Sequence, residues 1–196
     1  MIQVPVEVSA RHIHLSQKDL ETLFGSGYQL KKKKILTQPC DFAAEETLSI
    51  KNNSNILENV RVVGPVRENT QVEINRTDAV KLGVNPPVRL SGDVEGSSAV
   101  TVVGPKGEVN LEKGLIIAER HIHCATDEAK KLKLKNITTL KNGDKVSVKI
   151  EGQRPVTFHN VRVRVGNDYK LCLHLDTDEG NAAGINKTGI GTISQK

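Results

Sequence analysis

The tetrapeptide Arg-His-Ile-His occurs twice in this 196-residue chain, at Arg11–His14 and at Arg120–His123, and the two copies hold four of the six histidines. Side chains at i and i+2 of an extended strand share a face, so His12 and His14 point one way and Ile13 the other. His121, Ile122 and His123 repeat the pattern 109 residues later. Two neighbouring imidazoles on a rigid strand make half of a zinc site. One such pair is as often structural as ligating; two matching copies argue for chemistry.

A second alignment, at an offset of 101 residues, extends the repeat. Asn59-Val60-Arg61-Val62 falls on Asn160-Val161-Arg162-Val163, and Gly83-Val84-Asn85 on Gly184-Ile185-Asn186. Between these matches Glu73 falls on His174. Each half therefore offers a His-X-His strand and one further donor: His12, His14 and Glu73 in the first, His121, His123 and His174 in the second. Three protein donors with a fourth position open is the composition of a catalytic zinc site, whereas a structural site is usually closed by four. The competing reading is a duplicated fold with coincidental histidines.

Short strands must position these residues. Val and Ile are abundant, Trp is absent, and Gly, Asn, Asp and Pro punctuate the alternating runs. Val4–His14 reads as one strand, followed by a short helix capped by Ser16 that carries Leu20, Leu23 and Phe24 and ends at Gly25. The second copy reads alike, with Thr126 as the cap before Ala129 and Leu132. Thr47–Ile50, Val60–Val63, Gln71–Ile74, Val88–Leu90, Ala99–Val103 and Asn110–Ala118 read as strands, as do Val146–Ile150, Val156–Phe158, Val161–Val165 and Leu171–Leu175. Short helices should follow Thr77 and Thr177 and end near Gly83 and Gly184. The expected fold is mostly β: two small pseudo-symmetric β-barrels capped by short α-helices, from an internal duplication.

Other features are less specific. Gly64-Pro65-Val66-Arg67 is by default a surface turn, but a guanidinium beside a metal site can hold phosphate bidentately. The acidic residues of Asp176-Thr177-Asp178-Glu179 either orient a histidine or cap a helix. Lys31–Lys34 reads as a solvated hairpin or loop, with contact to a phosphate-rich ligand as the lesser reading. Cys40, Cys124 and Cys172 have no metal-type spacing and suit a reducing compartment. Cys124 should point away from His123, while Cys172 shares a face with His174 and is the better runner-up as ligand or nucleophile. His159 belongs to neither triad and reads as a surface or packing residue. A net charge of +5 fits an anionic ligand and would equally fit nucleic acid. Few aromatics and no recognition motif speak against nucleic acid, and no apolar run has the length of a membrane span.

Several segments together resemble one family, the PduL-type phosphate propanoyltransferases (phosphotransacylases). They are Val8–Ser16, Gln38-Pro39, Phe42–Thr47, Gly64–Arg67, Glu119–His123 and Asp176–Gly184, in order along essentially the whole chain. The resemblance implies that residues 1–10 join 119–196 in one barrel, with 11–118 forming the other and a hairpin or loop inserted near 25–45. It implies a dizinc site in which the positions of His12, His14 and Glu73 hold one zinc, those of His121, His123 and His174 hold the other, and Arg67 contacts phosphate.

The reaction implied is acyl-CoA (propanoyl or acetyl) plus phosphate giving acyl phosphate plus coenzyme A, by direct phosphate attack. Its partners would be these small molecules and a second copy in a homodimer, without nucleic acid or membrane. Microcompartment members carry an amphipathic extension before the first strand. Here Met1-Ile2-Gln3-Val4 opens directly on that strand, so a cytoplasmic member, or a trimmed one, is expected. Cys40-Asp41 stands where the family pattern has Gly-Gln, which bears on loop geometry alone. A dizinc hydrolase of phosphoesters or thioesters would use the same residues, and a binding module is the remaining alternative.

Overall fold

The computed structural model describes residues 2–132 and 140–194. Its elements run β1 (Ile2–Ser9), β2 (His12–His14), α1 (Gln17–Phe24), β3 (Lys32–Ile35), β4 (Phe42–Asn52), β5 (Asn55–Gly64), β6 (Gln71–Glu73), α2 (Arg76–Leu82), β7 (Val88–Arg89), β8 (Ser98–Val103) and β9 (Glu108–Ala118). They continue as β10 (His121–Cys124), α3 (Thr126–Lys131), β11 (Lys145–Ile150), β12 (Val156–Val165), β13 (Cys172–Asp176), α4 (Thr177–Ala183) and β14 (Thr188–Ser194).

Two compact units result. The first comprises Ala10–Leu36 and Cys40–Ala118; the second comprises Met1–Ser9, Thr37–Pro39 and Glu119–Lys196. Strands of the second unit close a barrel in the order β1-β13-β10-β12-β11-β14. The first unit closes the equivalent ring, β9-β6-β2-β5-β4-β8, because β8 pairs with both β4 and β9. Each ring buries its own apolar cluster: Ile13, Val62, Val72 and Leu115 in the first, Val6, Ile122, Val163 and Leu173 in the second. Burying one such aliphatic side chain is worth roughly 1.5–3 kcal/mol, so the isoleucine of each His-Ile-His anchors its strand while the histidines face outward from the core.

The expected single strand over Val4–His14 divides at Ala10–Arg11. Ser9 pairs with Asp176, whereas His12 pairs with Arg61 and Glu73, so the hydrogen-bonding ladders on either side of the break belong to different barrels. In the other direction, two expected strands merge: Val156–Phe158 and Val161–Val165 are both parts of β12. Asn160 lies within it at φ 57°, and its repeat partner Asn59 lies within β5 at φ 58°. Asparagine tolerates this left-handed conformation at lower cost than most residues, and the register of both strand pairs is irregular nearby.

The helices follow the caps. Ser16 accepts a hydrogen bond from the Asp19 N–H, and α1 ends at Gly25. Asn75 caps α2 and Asp176 caps α4; the left-handed glycines Gly83 and Gly184 close them. Thr126 is not the cap of α3. Ala125 holds that place with no side-chain acceptor, Thr126 donates instead to Asn167, and Glu128 reaches back to the Ala125 N–H. Among the described residues no helix is long and apolar enough to cross a membrane.

Candidate active site

β2 lies between β5 and β6, and pairing sets what each histidine meets. His12 is opposite Glu73 on the antiparallel neighbour and Arg61 on the parallel one; His14 is opposite Gln71. Donor atoms of His12, His14 and Glu73 all lie within 4.8 Å of one another. His12 Nδ1 is 2.9 Å from the Ala10 carbonyl and His14 Nδ1 is 3.1 Å from the Val63 carbonyl. A carbonyl can only accept, so each Nδ1 carries a proton and each Nε2 presents its lone pair in the neutral ring.

His12 Nε2 lies 3.6 Å from Glu73 Oε2. Two donors of one tetrahedral zinc, each about 2.0–2.1 Å from the ion, are separated by roughly 3.3 Å, so this spacing fits a shared ion. Burial holds the His14 pKa well below its ordinary value, helped by the charges on His12 and Arg67 and opposed by Glu73 and the Val63 carbonyl. A neutral imidazole is the form that binds metal.

Arg67 reaches this site from the turn that leaves β5. Gly64 packs against the ring of Phe42, where a Cβ would collide with the aromatic carbons. The turn is stitched to the end of the histidine strand: the Arg67 N–H donates to the Leu15 carbonyl at 2.8 Å, and the Ser16 N–H to Thr70 Oγ1 at 2.9 Å. Arg67 Nη1 donates to Ser91 Oγ at 3.3 Å. Through Ser91 and Gln71 this arginine is linked by hydrogen bonds to Glu73.

The second unit repeats the register. His121 is opposite His174 and Arg162, and His123 is opposite Cys172. The three rings cluster, with centroids 4.6 Å apart for His121–His123, 5.0 Å for His123–His174 and 5.3 Å for His121–His174. His121 Nδ1 donates to the Glu119 carbonyl at 2.8 Å, which leaves Nε2 as the lone-pair atom. Gln38 pairs with the Lys170 backbone at both ends of its amide, 3.0 and 3.1 Å, and this fixes its Nε2 as the atom 3.4 Å from His174 Nε2.

Sequence reasoning missed Glu7, whose carboxylate joins Cys172 and His174 in a group of donors within 4.8 Å. Glu7 is opposite His174 on β1, a parallel pairing that no local motif reveals. It also missed Gln71 and Ser91, which contact Glu73 and Arg67. Cys124 turns inward to the core beside Ile122, and burial pushes its thiol up to about 11. Burial likewise pushes Cys172 up to about 12, with the charge of Glu7 adding to the effect. The Lys32–Ile35 stretch is an exposed strand, and His159 is exposed with Nδ1 2.8 Å from Ser147 Oγ. Asp176 and Glu179 cap α4, and Glu179 also receives Arg120, so this acidic cluster serves the helix.

The same strap occurs in the first unit. Arg11 pairs with Asp78 of α2, and the repeat partners Arg120 and Glu179 pair on α4. Each arginine also reaches a backbone carbonyl at matching positions, Glu58 and His159. The residue before each His-X-His strand is thereby tied to the helix that follows the third donor.

The chain matches the phosphate propanoyltransferase family model over residues 5–186. It is 49% identical over 191 residues to the phosphate propanoyltransferase of Lachnoclostridium phytofermentans, covering 97% of this chain and 86% of that protein. Against the Thermotoga maritima phosphate propanoyltransferase it is 51% identical over 182 residues, covering 92% and 84%. With the Rhodopseudomonas palustris phosphate propanoyltransferase it shares 42% over 194 residues, covering 99% and 83%. The repeated barrels, the family match over most of the chain and these likenesses agree: the chain belongs to the phosphate propanoyltransferase family and is an acyltransferase.

Proposed function

We propose that the protein interconverts a short-chain acyl-CoA, propanoyl or acetyl, plus phosphate with acyl phosphate plus coenzyme A. In this reading His12, His14 and Glu73 hold one zinc, His121, His123 and His174 hold a second, and Arg67 binds phosphate. The observation that carries it is the grouping of His12, His14 and Glu73 donors within 4.8 Å, linked through Gln71 and Ser91 to the Arg67 guanidinium. Bound zinc would supply Lewis-acid stabilisation of oxyanion and thiolate charge.

The remaining work falls to the chain. The Ala10, Val63 and Glu119 carbonyls hold three of the imidazoles in the Nδ1–H tautomer. Arg67 orients phosphate through its planar fork, so that an oxygen attacks the thioester carbonyl carbon directly. The new C–O bond forms, the C–S bond breaks, and coenzyme A leaves as a thiolate; the proton released from hydrogen phosphate passes through solvent to that sulfur. Direct attack is favoured over an acyl-enzyme because the Cys124 and Cys172 side chains are buried.

A dizinc hydrolase would place water where phosphate stands. Coenzyme A release from propanoyl-CoA and acetyl-CoA, with and without phosphate, separates the two. Phosphate-dependent release with acyl phosphate as product is expected. Equal release without phosphate would overturn the transferase reading.

A further inference from the structure

We infer that Gln71 and Ser91 are positioning residues that brace Glu73 and Arg67 relative to one another, an assignment that rests on the zinc and phosphate roles proposed above. Gln71 precedes Glu73 by two positions on β6 and shares its face. It is 2% exposed, and a buried amide has to be satisfied on both ends. Its Oε1 accepts the Gly92 N–H at 2.7 Å, which fixes the other end as nitrogen. That nitrogen has two hydrogens and two acceptors: Glu73 Oε1 at 2.6 Å and Ser91 Oγ at 3.1 Å. Ser91 Oγ in turn accepts the Arg67 Nη1–H at 3.3 Å. A continuous hydrogen-bonded path therefore runs from the carboxylate to the guanidinium.

The path does two things. Engaging Glu73 Oε1 leaves Oε2 as the oxygen directed at His12 Nε2, so the carboxylate serves as a one-oxygen ligand. The same path also anchors the Arg67 guanidinium through Ser91, so the cation keeps its place relative to the carboxylate. Without the brace the guanidinium loses its anchor on Ser91, and its fork is no longer held for phosphate. Cys172 stands at the place of Gln71 in the second unit and offers no amide. The brace therefore belongs to the unit that carries the arginine.

The test uses Gln71→Leu and Ser91→Ala, with Ser91→Thr as the conservative control. Zinc retention against a competing chelator is read beside separate KM values for phosphate and acyl-CoA. Gln71→Leu should weaken one of two zincs about 10–100-fold, the usual cost of losing a partner of a ligand. It should also raise the phosphate KM about 10-fold, leaving the acyl-CoA KM within about 2-fold. Ser91→Ala should raise the phosphate KM with zinc retained, and Ser91→Thr should restore it. Wild-type zinc retention and phosphate KM in Gln71→Leu and Ser91→Ala would overturn the brace while leaving the site roles standing. If Gln71→Leu does not fold, an unchanged phosphate KM in Ser91→Ala overturns it. A wild-type enzyme that binds no zinc or needs no phosphate would remove the roles themselves, and the brace with them.

Discussion

Glu73 and His174 occupy the same place in the two barrels: each lies directly across an antiparallel strand pair from the first histidine of its Arg-His-Ile-His, Glu73 opposite His12 and His174 opposite His121. One presents a carboxylate and the other an imidazole, so the repeat preserved position and changed chemistry. A cluster with a carboxylate and an all-imidazole cluster differ in charge, and Arg67 is linked through Ser91 and Gln71 to the one with the carboxylate.

Arg67→Ala should raise the phosphate KM and lower turnover by about 100–1,000-fold, the range for removing one preorganised charge-stabilising donor. Zinc content should stay at the wild-type level. Arg67→Lys should restore little, because a point charge cannot reproduce the planar fork. Steady-state kinetics and metal analysis of one preparation check both.

His123→Ala should lose metal and activity together, by more than the roughly 100-fold upper range for a residue that only supports a ligand. Adding zinc should not restore wild-type turnover. Retained metal with lost turnover would separate His123 from metal binding.

The thiols should prove dispensable. Cys124→Ala and Cys172→Ala are expected to keep turnover within about 5-fold, with stability lowered by about 1 kcal/mol where packing is lost. Alkylation of the native protein should modify the exposed Cys40 and spare the two buried thiols, which mass spectrometry can count.

Arg120→Ala should destabilise the protein by about 1–3 kcal/mol, because it leaves the partly buried Glu179 carboxylate without its cation. Adding Glu179→Gln should recover part of that loss. Urea denaturation of both single variants and the double variant gives the coupling directly.

The legible part of this protein is the part its duplication copied. The histidines stand out because the same tetrapeptide recurs, and Glu73 and His174 because β6 and β13 keep one offset from one repeated Asn-Val-Arg-Val. The caps Ser16, Gly83 and Gly184 were equally local and equally readable. What stayed hidden depends on pairing across strands. Glu7 meets His174 only because β1 adds to β13, and Ser91 meets Gln71 from a loop 20 residues away. Repeat logic pointed away from Gln71, since its counterpart is a cysteine. The split of Val4–His14 was hidden for the same reason: nothing in an extended run says where its ladder partners change.

Zinc content tests the central claim most directly, measured on the wild type and on one variant per barrel, Glu73→Ala and His174→Ala. About two zincs per chain in the wild type and about one in each variant are expected. A wild type without tightly bound zinc, or variants that both keep two, would contradict a three-donor site in each barrel.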